Sequence, residues 1–332
     1  MKSPLSFITA SATAKSLNIV GDQWSYLILR DMFLGLHRFE ELLRSTGASR
    51  GTLTDRLKSL DDNGVLHRRQ VNQSRRHEYR LTEKGLAIYP LAVAAWMWEV
   101  KWANSEASPL PRVLIHKTCR SIMQPVFSCH GCREPVQASD VSYMVNESAL
   151  SEHIALPKQR RQGRKSANQP DPDRPLFRVI DAVSDRWTSL ILAGAFMGAD
   201  RFDTFQHKLH IATNILTSRL KKLVQNKLLE RIQYQEHPAR YSYKLTPKAY
   251  DLYPLVIALH QWGHQWLENS DETTIELNHQ CGHRPFAVDL VCDCCGQEIH
   301  RGDVIFQLPA GKSWAEKLNL SEGAPISETE TA

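Results

Sequence analysis

The chain has 332 residues, 42% hydrophobic and 23% charged, with a formal net charge of +5. This length accommodates two or three domains with separate cores, and the composition excludes an intrinsically disordered chain. No apolar run reaches the roughly 20 residues of a membrane-spanning helix, and the N-terminal stretch lacks the apolar core of a secretory signal, so the expected location is the cytoplasm.

In chain order, Leu17, Val20, Trp24, Leu27 and Ile28 recur at spacings of three and four, which predicts one amphipathic helix ending near Gly35. RFEELLRST (38–46) predicts a short second helix, and Gly47, Ala48 and Ser49 a turn into a third over 49–62, with Ser49 as its N-cap. Leu53, Leu57 and Leu60 share one face of that third helix and should pack inward. Gly51, Asp55 and Lys58 point the opposite way, flanked by Thr52, Thr54 and Ser59. Such a face suits a DNA major groove: glycine and serine permit close approach, threonine reaches a phosphate or a thymine methyl, and lysine supplies charge. Ser49 and Arg50 at the helix start complete the candidate DNA-reading set.

Asn63 and Gly64 stop this helix. Residues 65–71 and 77–82 follow as two short strands of a hairpin whose tip carries Arg75 and Arg76. Three helices and a basic two-stranded hairpin describe a winged helix-turn-helix, with the wing arginines placed over phosphates or into the minor groove. A last helix carries Leu91, Ala95, Trp98 and Trp102 on one stripe. It lies outside the winged-helix unit and predicts a helix-to-helix pairing interface.

All seven cysteines fall within 119–132 and 281–295, where a disulfide scaffold would spread them through the chain. His116, Cys119, Cys129 and Cys132 form one set, and His279, Cys281, Cys292 and Cys295 another. Each joins a Cys-x-x-Cys knuckle to a His/Cys pair about ten residues upstream. Four such ligands match a tetrahedral structural zinc site, and the metal would supply much of the folding energy of a small module. His283 competes as a ligand in the second set, and Cys294 reads as a neighbour. Free buried cysteines or a redox dithiol are the alternatives. No His-Glu-x-x-His arrangement, Gly-rich phosphate loop or nucleophile elbow points to an enzyme.

Residues 146–175 are polar, proline-rich toward the end, and carry a basic run at Lys158, Arg160, Arg161, Arg164 and Lys165. They predict a flexible linker. At an offset of 163, Asp22, Trp24, Arg38 and Phe39 meet Asp185, Trp187, Arg201 and Phe202, and Leu53 to Leu60 meet Leu216 to Leu223. YRLTEKGLAIYP then answers YKLTPKAYDLYP, and Cys129 and Cys132 answer Cys292 and Cys295. The chain is a tandem duplication.

The expected fold is α+β and mostly helical: two winged helix-turn-helix domains (12–105 and 176–269), each followed by a small Cys-rich, zinc-ribbon-like module (112–145 and 276–308), with the linker between and a tail over 309–332. In the second copy the DNA-facing candidates are Thr213, Asn214, Thr217, Ser218, Lys221 and Lys222, with Arg240 on the wing. Leu255, Leu259, Trp262 and Trp266 repeat the pairing stripe.

The ordered motifs Gly-Asp-x-Trp, Arg-Phe, Leu-Thr-x-Arg-Leu and Leu-Thr-x-Lys resemble the HxlR-type family of bacterial winged-helix transcription regulators, strongly over 15–104 and more loosely over 178–268. The resemblance implies paired recognition helices in successive major grooves of double-stranded DNA, with terminal helices forming the dimer contact. Many members carry a redox-sensing cysteine about thirteen residues before the tryptophan; Ser11 and Arg174 stand there, so thiol sensing by that route is not expected. Members with one domain form dimers, and two copies in one chain predict an intrachain pseudo-dimer reading an imperfect palindrome, with half-sites about 34 Å apart. The rival reading is a zinc-dependent interaction or sensor module with weakened DNA binding.

Overall fold

The computed structural model describes residues 6–70, 77–102, 113–146, 176–183, 185–269 and 273–307. The expected wing-tip residues Arg75 and Arg76, nearly all of the expected linker, and the tail lie outside them.

Helix α1 (Ser6–Ala10) precedes the first repeat. The repeat itself runs α2 (Ala12–Val20), α3 (Gln23–Phe33), α4 (Phe39–Thr46), α5 (Arg50–Asp62), β1 (Leu66–Gln70), β2 (His77–Leu81), α6 (Glu83–Leu86) and α7 (Tyr89–Trp102). Its Cys-rich segment holds β3 (Val113–His116), β4 (Ile122–Met123), β5 (Pro125–Cys129) and β6 (Val141–Val145). The second repeat follows as α8 (Phe177–Val183), α9 (Arg186–Phe196), α10 (Phe202–Leu209), α11 (Thr213–Gln225), β7 (Leu229–Gln235), β8 (Arg240–Leu245), α12 (Pro247–Tyr250) and α13 (Tyr253–Leu267). Strands β9 (Ile275–His279), β10 (Val288–Cys292) and β11 (Val304–Gln307) end the described chain.

These elements gather into two units that interleave the repeats. The first unit takes residues 23–126, 161–178 and 290–332; the second takes 1–22, 127–160 and 179–289.

In the first unit, Leu53, Leu57 and Leu60 of α5 are buried with Ile28 and Met32 of α3 and Leu42 of α4. β1 and β2 pair antiparallel from Leu66↔Leu81 to Gln70↔His77. Thr82 caps α6, and its hydroxyl donates to Gly64 O at 2.6 Å, which ties the end of the β1–β2 hairpin to the end of α5. Gly85 is required by close approach, since a Cβ there would lie 2.0 Å from Val65 O. Beside this domain sits an antiparallel sheet of order β11-β3-β4. Leu176, just ahead of the second repeat, is buried here, and the Arg178 N–H donates to Glu99 Oε1 at 3.3 Å.

The second unit repeats this plan around Leu216, Leu220 and Leu223, with β7 and β8 as its wing. Its last helix, α13, is covered by α2 from the opposite end of the chain. Ser16 Oγ donates to Leu259 O at 2.8 Å, and Lys15 Nζ lies 3.2 Å from Glu268. Gly263 lets the two backbones meet, because a Cβ there would fall 2.3 Å from Ala12 O. Strands β6 and β9 pair antiparallel from Val141↔His279 to Val145↔Ile275.

Two expectations are corrected. The predicted helix through Leu17 and Ile28 is two helices, α2 and α3, which belong to different units. Gly21 ends α2 with its N–H on Leu17 O at 3.0 Å, and a Cβ there would come within 2.5 Å of that oxygen. The Cys-rich segments are also not closed modules behind their own repeats. β3 pairs with β11 and β6 with β9, so each unit draws strands from both segments. Two short strands alone are marginal in water, and the exchange enlarges each sheet or completes its pairing.

Of the predicted pairing stripes, Leu91, Ala95 and Trp98 are buried on α7 while Trp102 is 37% exposed. On α13, Leu255, Leu259 and Trp262 are buried and Trp266 is half-buried.

Candidate nucleic-acid interface and Cys/His clusters

Helix α5 owes its start to Ser49, whose hydroxyl accepts the Thr52 N–H at 3.2 Å. With the leucine stripe turned inward, Ser49, Arg50, Gly51, Thr54, Asp55 and Lys58 are exposed and Thr52 is half-buried. Open space surrounds the position of a Gly51 Cβ. Arg50 is engaged within the unit: it pairs with Glu40 at 2.9 Å and lies over the Phe39 ring. Among the described residues the side chains of Thr54, Asp55 and Lys58 make no hydrogen bond or ion pair, and they are exposed to solvent.

Helix α11 places its candidates on the same face but commits more of them. Thr213, Asn214, Thr217, Ser218 and Lys221 are exposed. Thr213 Oγ1 accepts from Gln206 Nε2, and Asn214 Oδ1 accepts the Ile215 N–H, each at 2.9 Å. Lys222 is held by Asp181 of α8 at 3.0 Å, so its charge is partly spent inside the unit.

The first wing exposes His67, Arg68 and Arg69 along β1. The two arginines join the candidate surface although only the wing tip was singled out in the sequence; a run of consecutive basic residues on a hairpin strand was the signal. Under this wing His37 is half-buried. Burial, then Arg80 and Arg301, push its pKa down to about 4, so the imidazole is neutral at pH 7. On the second wing Arg240 is exposed, while the Arg231 guanidinium stacks over the Tyr241 ring at 3.4 Å.

The eight predicted metal-ligating residues do converge, but across repeats rather than within them. In the first unit His116 and Cys119 meet Cys292 and Cys295; in the second, Cys129 and Cys132 meet His279 and Cys281. Within each quartet the ligand atoms lie within 4.8 Å of one another. His116 Nδ1 lies 3.5 Å from Cys119 Sγ and 3.3 Å from Cys295 Sγ, and His279 Nδ1 lies 3.7 Å from Cys132 Sγ. The same ring nitrogen thus faces the thiols in both.

Turn geometry builds these clusters. Two cysteines of each quartet are followed by a residue of positive φ: Arg120 and Gly296 in the first, Arg133 and Gly282 in the second. The Cys129 N–H donates to Glu134 O and the Cys292 N–H to Gln297 O, both at 2.9 Å. One thiol per quartet is favoured as thiolate. The Ser121 N–H holds Cys119 down to about 6, and the His279 ring holds Cys281 there. The competing ligand His283 packs over Gly131 instead of joining a quartet. Cys294 is exposed and directs its Sγ to Ile122 O.

Comparison with known proteins fixes the lineage of this scaffold. Residues 19–107 and 182–271 both match HxlR-like helix-turn-helix proteins. The chain belongs to the HxlR-like helix-turn-helix family. It is 38% identical over 123 residues to an uncharacterized HTH-type transcriptional regulator of Mycobacterium tuberculosis, covering 37% of this chain and 77% of that protein. A Synechocystis protein of the same description is 34% identical over 95 residues, covering 28% of this chain and 70% of its own length. Another from Bacillus subtilis, YvaP, is 30% identical over 104 residues, covering 31% and 96%.

The HxlR motifs now have physical roles. Asp185 of Gly-Asp-x-Trp's second version caps α9 through the Trp187 N–H and also pairs with Arg219 of Leu-Thr-x-Arg-Leu, locking α9 to α11. The threonine of Leu-Thr-x-Lys is the cap of α6 and of α12. Both quartets lie outside the two HxlR-matching spans. Among the described residues no helix is long and apolar enough to cross a membrane.

Proposed function

We propose that this chain is a cytoplasmic DNA-binding transcription regulator that presents two recognition helices, α5 and α11, to a quasi-palindromic operator as an intrachain pseudo-dimer. The observation that carries the reading is the exposed face of α5, where Gly51, Thr54, Asp55 and Lys58 stand uncommitted above a buried leucine stripe. The family, named for helix-turn-helix proteins and populated by relatives described as transcriptional regulators, supports it. Ser49, Arg50 and Thr52 would join that face, with Arg75 and Arg76 on the wing contacting phosphates. Thr213, Asn214, Thr217, Ser218 and Lys221 would read the second half-site, Asn214 by bidentate pairing with adenine, with Arg240 on its wing. Arg240 stands alone where the first wing has Arg75 and Arg76, so the second half-site would be bound with less wing charge than the first. Pairing through the Trp98/Trp102 and Trp262/Trp266 stripes, within one chain or between two, would rest on Trp102 and Trp266, since Trp98 and Trp262 are buried.

Three thiols and one imidazole in each quartet suit zinc, which takes four N and S ligands tetrahedrally. His116, Cys119, Cys292 and Cys295 would hold one ion, and Cys129, Cys132, His279 and Cys281 the other. Zinc there would be structural, adding folding energy by tying strands of both Cys-rich segments together.

Selection of genomic fragments by the purified chain tests the reading. Enrichment of one operator with paired half-sites, bound in a salt-dependent manner, is expected. Lys58→Ala should reduce the salt slope by about one. No enrichment would leave a zinc-dependent interaction module as the function. Metal analysis of the same sample tests the zinc sites.

A further inference from the structure

The first unit holds an apolar cavity of about 80 Å³ between its winged helix and the β11-β3-β4 sheet. Phe33, Tyr89, Trp96, Leu114, Leu176 and Phe306 form its walls. The second unit holds a cavity of about 60 Å³ lined by Phe196, Tyr253, His260, Leu277, Thr13 and Tyr143. Position by position these are the repeat equivalents of the first set, so the duplication copied the cavity along with the fold.

The copies differ in charge. Arg30 and Arg301 line the first cavity, and Ala193 and Ala138 take their places in the second. Arg30 is committed to Asp31 at 2.6 Å and to Ser45 at 3.2 Å. Arg301 is not committed in this way. Its Nη2 donates to Met32 O at 3.0 Å, and its Nε is buried without an acceptor. Among the described residues no carboxylate pairs with it, and the nearby Asp303 carboxylate accepts the His300 N–H instead. A buried donor without an acceptor is rare in native proteins and asks for an explanation. A guanidinium fork at the edge of an aromatic-walled cavity is complementary to a carboxylate on a ring.

We propose that the cavity of the first unit binds a small aromatic carboxylate, its ring against Phe33, Tyr89, Trp96 and Phe306 and its carboxylate on Arg301, and that the cavity of the second unit does not. The size limits the ligand. A closed cavity of about 150 Å³ takes a benzene ring, so a single ring enters only part-way and leaves its carboxylate at the mouth, where the half-buried Arg301 stands. Fused rings are excluded. The site is independent of the DNA reading, because ligand binding is measured directly.

The test is calorimetric titration of the full chain with benzoate and with benzamide, its neutral isostere. The expected result is one benzoate site per chain and at least tenfold weaker benzamide. Arg301→Ala, which installs the residue of the second unit, should erase that preference, and Arg301→Lys should restore part of it. Ala92→Val, which copies Val256, should weaken both ligands by filling the cavity. Circular dichroism checks that each variant is folded. If Arg301→Ala is not folded, the Ala92→Val titration decides. Equal affinity for the two ligands, no binding of either, two equivalent benzoate sites, or benzoate affinity unchanged in Arg301→Ala or Ala92→Val would each overturn the proposal.

Discussion

Leu53, Leu57 and Leu60 of α5 stand where α11 has Leu216, Leu220 and Leu223, and all six are buried. On the outer faces Gly51 stands against Asn214, Asp55 against Ser218 and Ser59 against Lys222. Their starts differ as well: Ser49 caps α5 with its side chain, while Ala212 offers α11 none. A buried leucine is constrained by every neighbour it touches, whereas an exposed position is constrained only by what the surface binds. The duplicated chain has therefore kept two copies of one scaffold and allowed two different surfaces.

The sharpest test of the exchanged arrangement uses pairs of cysteines. Cys119→Ser with Cys132→Ser should empty both quartets, whereas Cys119→Ser with Cys295→Ser should leave one intact, read as bound zinc per chain. One ion retained by the first pair would mean that each Cys-rich segment closes on itself. Next in size, Leu57→Ala and Leu220→Ala should each destabilise by about 2–5 kcal/mol in urea denaturation. A large inequality between them would break the equivalence of the two cores. Ser49→Ala should cost about 1 kcal/mol, and Ala212→Ser should stabilise α11; both are read by the same denaturation.

A further expected effect is on pH. His37 is held at about 4 in the folded chain by burial and by Arg80 and Arg301. Unfolded histidine titrates near 6.5. Between those values the unfolded state binds more protons, so stability falls as pH drops from 7 toward 4. Thermal midpoints at pH 7, 6 and 5 should show the decline, and His37→Gln should flatten it.

Local structure was largely legible in the sequence. Helix α5, its Ser49 cap, its buried leucine stripe and its stop at Asn63 follow from spacing and capping chemistry alone. The break at Gly21 was not, because Leu17, Val20 and Trp24 keep a helical period across it. Nor was the grouping of the ligands. Cys129-x-x-Cys132 and Cys292-x-x-Cys295 are chemically the same knuckle, and either satisfies His116 and Cys119. Only the pairing of β3 with β11 and of β6 with β9 distinguishes the two solutions. The place of Arg301 at a cavity edge was invisible for a similar reason: its neighbours there, Met32, Phe33 and Tyr89, lie far away in the chain.

The exchange of strands also governs how this protein can be made. The first winged helix leaves the ribosome whole by residue 102, yet Cys119 must wait for Cys292, 173 positions later. Closing a longer loop adds only about 0.6 kcal/mol per doubling, so the finished molecule bears the separation easily. Biosynthesis does not, because such distant contacts form slowly and leave early segments exposed. A nascent chain stalled before β9 would display thiols and sheet edges with nothing to meet them, and a gene cut between the repeats would encode two fragments, neither of them half of the protein.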